Sequence, residues 1–108
     1  MKLAYVSGPY GAPTAYGVAQ NIAKAERVGA RLWQKGYAVI IPHKNSAFMD
    51  GVVSRDQFLL GDFEIIKRCD LVVMIPGWQQ SEGAVWEYEV AKKYGIEIVE
   101  YQAEEAAA

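Results

Sequence analysis

The apolar positions of this 108-residue chain fall into four short, near-continuous runs separated by longer stretches of helical spacing. The runs cover residues 3–7, 38–42, 71–76 and 96–101, each bounded by Gly, Pro or a charged residue. Continuous rather than alternating apolar runs suit strands of a parallel sheet covered on both faces. Between them the pattern predicts helices over about 17–35, 54–68 and 82–94. In the first, Ile22, Ala25, Gly29 and Leu32 or Trp33 recur at helical spacing, and Gly36 follows as a C-cap. Gly95 ends the third in the same way. Alternating strands and helices, with right-handed crossovers, favour an α/β fold. The expected form is a small doubly wound, flavodoxin-like or Rossmann-like parallel sheet of four to five strands with helices on both faces. Residues 1–101 make a single domain on this reading, and residues 102–108, QAEEAAA, a flexible tail without a role. In such a sheet ligands bind beyond the C-terminal ends of the strands. Segments 7–13, 42–51 and 76–83 and the chain after Tyr101 therefore gather at one rim.

Composition narrows the function classes. A length of 108 residues suits one modest core, and a formal charge of −2 argues against a dedicated binder of polymeric nucleic acid. The single cysteine, Cys69, excludes an internal disulfide and a Cys-rich metal site and fits a reducing cytoplasm. With one histidine as well, no metal and no cofactor are expected. No stretch approaches the roughly 20 apolar residues of a membrane span, and the opening MKLAYVSGP has too short an apolar run for a signal peptide.

Two carboxylates stand out against their helices. Glu87 shares a helix face with Gly83, Ala84, Val90, Ala91 and Tyr94, which lie three, four or seven residues away. No Lys or Arg occupies 83, 84, 90 or 91 to pair with it. A glutamate on such a face is rarely buried without a partner or a task, so it reads as a nucleophile or base in a part-buried pocket. Asp62 has Phe58, Leu59, Ile65 and Ile66 at three or four residues, but Leu60 and Phe63 widen that sector. A solvated aspartate beside Gly61 fits the pattern equally. Ser81 precedes the third helix as an N-cap, and its hydroxyl together with the helix N–H groups is suited to an anion. Gly83 permits close backbone approach.

The rim segments add candidates for substrate contact. Ser7, Gly8 and Pro9 open the loop after the first strand, which matches neither common glycine-rich phosphate pattern. His43, Asn45 and Asp50 lie in a long polar connection, with Asn45 and Asp50 suited to reading a base edge or a sugar hydroxyl. Trp78 is placed to stack on a base or to serve an interface, and Trp86 to meet another subunit. Tyr5 lies inside the first strand, where core packing is the plain reading.

Taken together, YVSGPY on the first strand, RCDLVVMIPG with Asp62 eight residues before Asp70, and SEGAVWEYEVA resemble the nucleoside 2-deoxyribosyltransferase-like superfamily over nearly the whole chain. The resemblance is nearest to small phage and bacterial members and to the 2′-deoxynucleoside 5′-monophosphate N-hydrolase branch. It implies Glu87 as the nucleophile, Asp62 as its assistant and Tyr5 as the residue that orients Glu87. Transferases of free nucleosides carry an aspartate six residues before the nucleophile; here Ser81 stands there, as in the branch that binds a 5′-phosphate. The implied reaction is cleavage of the N-glycosidic bond of a (deoxy)nucleoside 5′-monophosphate. Base exchange by a transferase and non-catalytic nucleotide binding are the alternatives. The loop after the first strand lacks the arginine of several monophosphate hydrolases, which leaves Lys44, Arg55 or a neighbouring subunit to face a phosphate. The implied partners are a small-molecule nucleotide or nucleoside and further copies of the chain, with neither polymeric nucleic acid nor a membrane.

Overall fold

The structure is a computed structural model that describes residues 1–102. The tail expected at 102–108 therefore lies, apart from Gln102, outside the described residues. Four parallel strands form one sheet: β1 (Leu3–Ser7), β2 (Ala38–Ile40), β3 (Leu71–Met74) and β4 (Glu97–Glu100), in the spatial order β2-β1-β3-β4. Register places Tyr5 of β1 beside Ile40 of β2 and Val72 of β3. The expected α/β fold is present, with four strands among the described residues.

Strand alternation sorts the side chains into two cores. Ala4, Val6, Leu71 and Val73 point to one face, where α1 (Ala15–Gln34) covers them with Ala25, Val28 and Leu32. Tyr5, Val72 and Met74 point to the other, under α4 (Glu82–Lys93) and the end of α3 (Arg55–Ile66). The sheet is thus doubly wound. The chain runs from β1 to β2 on one side and returns to build β3 and β4 on the other. This leaves a topological switch point between β1 and β3, where doubly wound sheets open a crevice.

Local chemistry sets the element ends. Thr14, Ser54 and Ser81 each cap a helix, accepting from the backbone N–H of Gly17, Gln57 and Ala84. With Thr14 as its cap, α1 starts at Ala15, two residues before the predicted Gly17. Strand β2 stops at Ile40, short of the predicted residue 42, because Pro42 opens a one-turn helix, α2 (Pro42–Asn45), that the apolar pattern did not reveal. The backbone after β1 passes close over the end of β3. A side chain at Gly8 would put its Cβ 2.8 Å from Ile75, so only glycine fits there without a shift.

Candidate active site

A cavity of about 730 Å³ opens at the switch point. Its wall comes from the loop after β1 (Gly8, Pro9, Tyr10), from α2 and the segment following it (His43, Ser46, Asp50), from α3 (Phe58, Leu59, Asp62) and from the N-terminal turns of α4 (Ser81, Gly83, Glu87). The volume lies in the range of small-molecule sites.

Glu87 is 6% exposed and is held at both oxygens. The Tyr5 hydroxyl donates to Oε2 at 2.5 Å and the Ser7 hydroxyl to Oε1 at 2.7 Å. The arrangement follows from the sequence. Tyr5 and Ser7 are two apart on β1 and so share the sheet face that α4 covers, while Glu87 lies on the α4 face turned to the sheet with Ala84 and Ala91. Burial pushes the Glu87 carboxyl up to about 7; the hydrogen bonds from Ser7 and Tyr5 pull it down, and the nearby charge of Asp62 pushes it further up. Tyr5 is raised well above the usual phenol range, first by burial and then by the charge of Glu87, so it remains a donor. Asp62, on α3, is raised to about 6 by burial. Two interacting carboxyls that titrate near neutrality in one cavity can divide into a base or nucleophile and an acid.

His43 is 4% exposed, and its Nε2–H donates to the Pro9 carbonyl at 3.0 Å. A carbonyl only accepts, which fixes the proton on Nε2 and leaves Nδ1 as a bare acceptor. Nδ1 is buried without a hydrogen-bond partner. Burial lowers the ring's pKa, with the Pro9 and Gly8 backbone opposing, so the ring is neutral near pH 7. The Tyr10 ring lies 6.0 Å from it, and the Tyr10 hydroxyl is raised by burial and by the charge of Asp50.

At the α4 end the Ser81 hydroxyl caps the helix through the Ala84 N–H at 3.3 Å. Arg55 is the sole Lys or Arg among the described lining residues. Its guanidinium meets the Glu82 carboxylate at 3.0 Å and lies 5.3 Å from the centre of the Trp86 ring. Lys44 instead pairs with Glu26 and lines a separate shallow pocket. A Cβ added at Gly83 would find Leu59 at an ordinary 3.7 Å, so the protein itself does not require glycine there.

The cavity brings together Glu87, Asp62, Ser81, Gly83, Gly8, Pro9, His43 and Asp50. Tyr5 and Ser7 lie behind Glu87, so Ser7 meets the carboxylate rather than the cavity wall. Two more of the predicted contact residues sit elsewhere. Asn45, at the end of α2, lines the shallow pocket against β2. Trp78 stacks on Tyr88 with ring centres 4.7 Å apart, and its Nε1–H donates to the Glu100 carboxylate at 3.0 Å. That placement occupies one face of the ring and its donor, and Trp78 does not line the cavity. Tyr10, Phe58 and Leu59 line the cavity without having been singled out as contact residues from sequence. The helical spacing of Phe58 and Leu59 from Asp62 was the available signal. Among the described residues, no three His, Cys, Asp or Glu side chains are grouped to hold a metal, and no helix is long and apolar enough to cross a membrane.

Residues 2–100 match the protein family described as "Domain of unknown function (DUF4406)", and the chain belongs to that family. Among solved structures it is similar to a 2-deoxyribosyltransferase from the psychrotolerant bacterium Bacillus psychrosaccharolyticus. The TM-score is 0.64 and the identity 23%, over 89% of this chain and 69% of that one. It is also similar to the 2-deoxyribosyltransferase from Leishmania mexicana, with a TM-score of 0.65 and 17% identity over 96% of this chain and 66% of that one. At these identities the likeness is one of fold, and the chain spans about two thirds of the length of either protein. No curated protein matches its sequence.

Proposed function

We propose that this DUF4406 member cleaves the N-glycosidic bond of a (deoxy)nucleoside 5′-monophosphate through a glycosyl-enzyme on Glu87. The observation that carries this reading is the buried Glu87 carboxylate, gripped by Tyr5 and Ser7, in a nucleotide-sized cavity shared with Asp62. Two hydrogen bonds fix the orientation of the carboxylate, and each oxygen keeps a second lone pair for attack. A Glu87 oxygen forms a bond to C1′ as the C1′–N bond breaks, and the bonding pair leaves with the base. The Asp62 carboxyl gives its proton to the departing base. Water then attacks C1′, its proton passes to Asp62, and Glu87 is released as a carboxylate.

Ser81, at the start of α4, supports a 5′-phosphate in place of a free 5′-hydroxyl, and Arg55 supplies the cation beside it. Arg55 would exchange the exposed Glu82 carboxylate for the phosphate, a small loss because exposed ion pairs contribute little. The 2-deoxyribosyltransferases that share the fold favour a second fate for the intermediate, in which another base rather than water attacks C1′. The same reading takes the chain as a homo-oligomer. Trp86, 39% exposed, and Leu60, 62% exposed, give it apolar surface on α4 and α3.

The test is to incubate the protein with nucleosides and 5′-monophosphates and follow free base by chromatography, with and without a second base. Base release from monophosphates that disappears in Glu87→Gln supports the reading. Equal turnover by the variant, or tight nucleotide binding with no base released, overturns it.

A further inference from the structure

We infer that Phe48 belongs to the nucleotide site: the segment 46–53 folds over a bound nucleotide and lays the Phe48 ring on its base. The inference rests on the nucleotide reading above and adds the residue that holds the base.

Phe48 is 98% exposed, and its backbone takes the left-handed conformation at φ 64°. A bulky residue adopts that conformation at a cost, and a phenyl ring standing in water does nothing to offset it. Two neighbours repeat the pattern, Met49 half-exposed and Val52 70% exposed. Single exposed apolar residues are common, whereas a contiguous apolar patch marks a binding surface. The place of this patch decides what it covers. Ser46, Asp50, Gly51 and Val53 all line the cavity, so Phe48 stands on the rim between two stretches of its wall.

The two sides of the cavity mouth are built differently. On one side the loop after β1 is pinned. The Asn21 side-chain amide donates to the Tyr10 and Gly11 carbonyls at 2.9 and 3.3 Å, His43 donates to the Pro9 carbonyl, and Gly8 lies tight against Ile75. On the other side, among the described residues, the backbone of 46–53 is tied by short turns. The N–H groups of Ala47, Met49 and Val52 donate to the carbonyls of Lys44, Ser46 and Met49. Exposed turns with few packing contacts open and re-form readily. Gly51, at φ 85° with open space where a Cβ would stand, gives the segment a pivot. Rotation about Phe48 and Gly51 carries the ring from solvent to the mouth and releases Phe48 from its left-handed backbone. The phosphate keeps to Ser81 and Arg55 at the α3–α4 end. A phenyl ring offers an anion nothing, but it stacks on the face of a planar base.

Calorimetry on Glu87→Gln protein, with and without Phe48→Ala, compares a deoxynucleoside 5′-monophosphate with deoxyribose 5-phosphate, which has no base. Phe48→Ala should weaken the nucleotide by about tenfold and leave deoxyribose 5-phosphate unchanged, and Phe48→Trp should restore the nucleotide. The Tm of ligand-free Phe48→Ala should match that of its parent, because the ring packs on nothing there. Hydrogen exchange at 46–53 should slow when the nucleotide binds. Unchanged nucleotide affinity, an equal loss for deoxyribose 5-phosphate, no nucleotide binding at all, or exchange at 46–53 indifferent to the nucleotide would overturn the inference. A change in oligomeric mass in Phe48→Ala with nucleotide affinity intact would assign the ring to a second copy and overturn it too. Turnover by the wild-type protein separates this from the parent reading. Base-dependent binding through Phe48 with no base released removes the glycosidase and keeps Phe48 in the site. Base release with KM unchanged in Phe48→Ala does the reverse.

Discussion

Replacing Glu87 by glutamine should destroy activity and stabilise the protein, and the gain should depend on pH. Burial holds the Glu87 carboxyl at about 7, against an ordinary 4.5. The folded protein therefore favours the protonated form more than the unfolded chain does. The contribution of this group is fully present below pH 4.5 and is lost as pH rises through 7. The difference amounts to about 3 kcal/mol against the ionised carboxylate above pH 7. Glutamine has the same shape and no charge. Its oxygen accepts from one of the two hydroxyls, while its amide N–H₂ can donate to the other, which turns to accept. Allowing for an imperfect exchange of hydrogen bonds, the variant should be about 1–3 kcal/mol more stable than wild type at pH 8. For a domain of this size that is a rise of at least about 4 °C in Tm. At pH 4.5 both proteins carry a neutral side chain there and the difference should vanish. Thermal unfolding followed by circular dichroism at the two pH values measures this directly. A Tm difference that is the same at both, or a variant less stable at pH 8, would refute the assignment of Glu87 as a carboxyl whose burial opposes its ionisation.

Other consequences follow from the same geometry. The profile of kcat/KM against pH should be bell-shaped with a maximum between about 6 and 7, because Glu87 must be ionised and Asp62 protonated; a flat profile from pH 5 to 8 would exclude the carboxyl pair. Tyr5→Phe and Ser7→Ala each remove one donor to Glu87 and should lower kcat about tenfold with little change in KM, a loss of about 1.4 kcal/mol of positioning; an effect confined to KM would place these residues on the substrate instead. Arg55→Ala should raise KM for a 5′-monophosphate and leave that for the free nucleoside unchanged, which steady-state kinetics on both substrates decides.

The strands and the three long helices were legible because their apolar periods are long and bounded by Gly, Pro or capping residues. Helix α2 was not, since four residues carry no period, and Pro42 alone marks its start. The carboxylates of Glu87 and Asp62 were visible as polar interruptions of apolar helix faces. The grip on Glu87 was only partly so. Alternation on β1 places Tyr5 and Ser7 on one side, but that this side faces α4 depends on strand order, which no single strand encodes. Asn45 and Trp78 show the limit of reasoning from rim position. Both lie after a strand on the expected side, yet α2 turns Asn45 toward the β2 edge, and the turn after β3 lays Trp78 on Tyr88. Rim position gives the neighbourhood of a residue, and short local turns decide where its side chain goes.

The central claim is a covalent bond between Glu87 and a sugar. Intact-mass spectrometry of protein quenched in acid during turnover of a deoxynucleoside monophosphate, followed by peptide mapping, tests it most directly. The account predicts a deoxyribosyl phosphate adduct on the peptide containing Glu87, absent from Glu87→Gln. Free base released by wild type and by Glu87→Gln at the same rate, with no adduct on either, would contradict it.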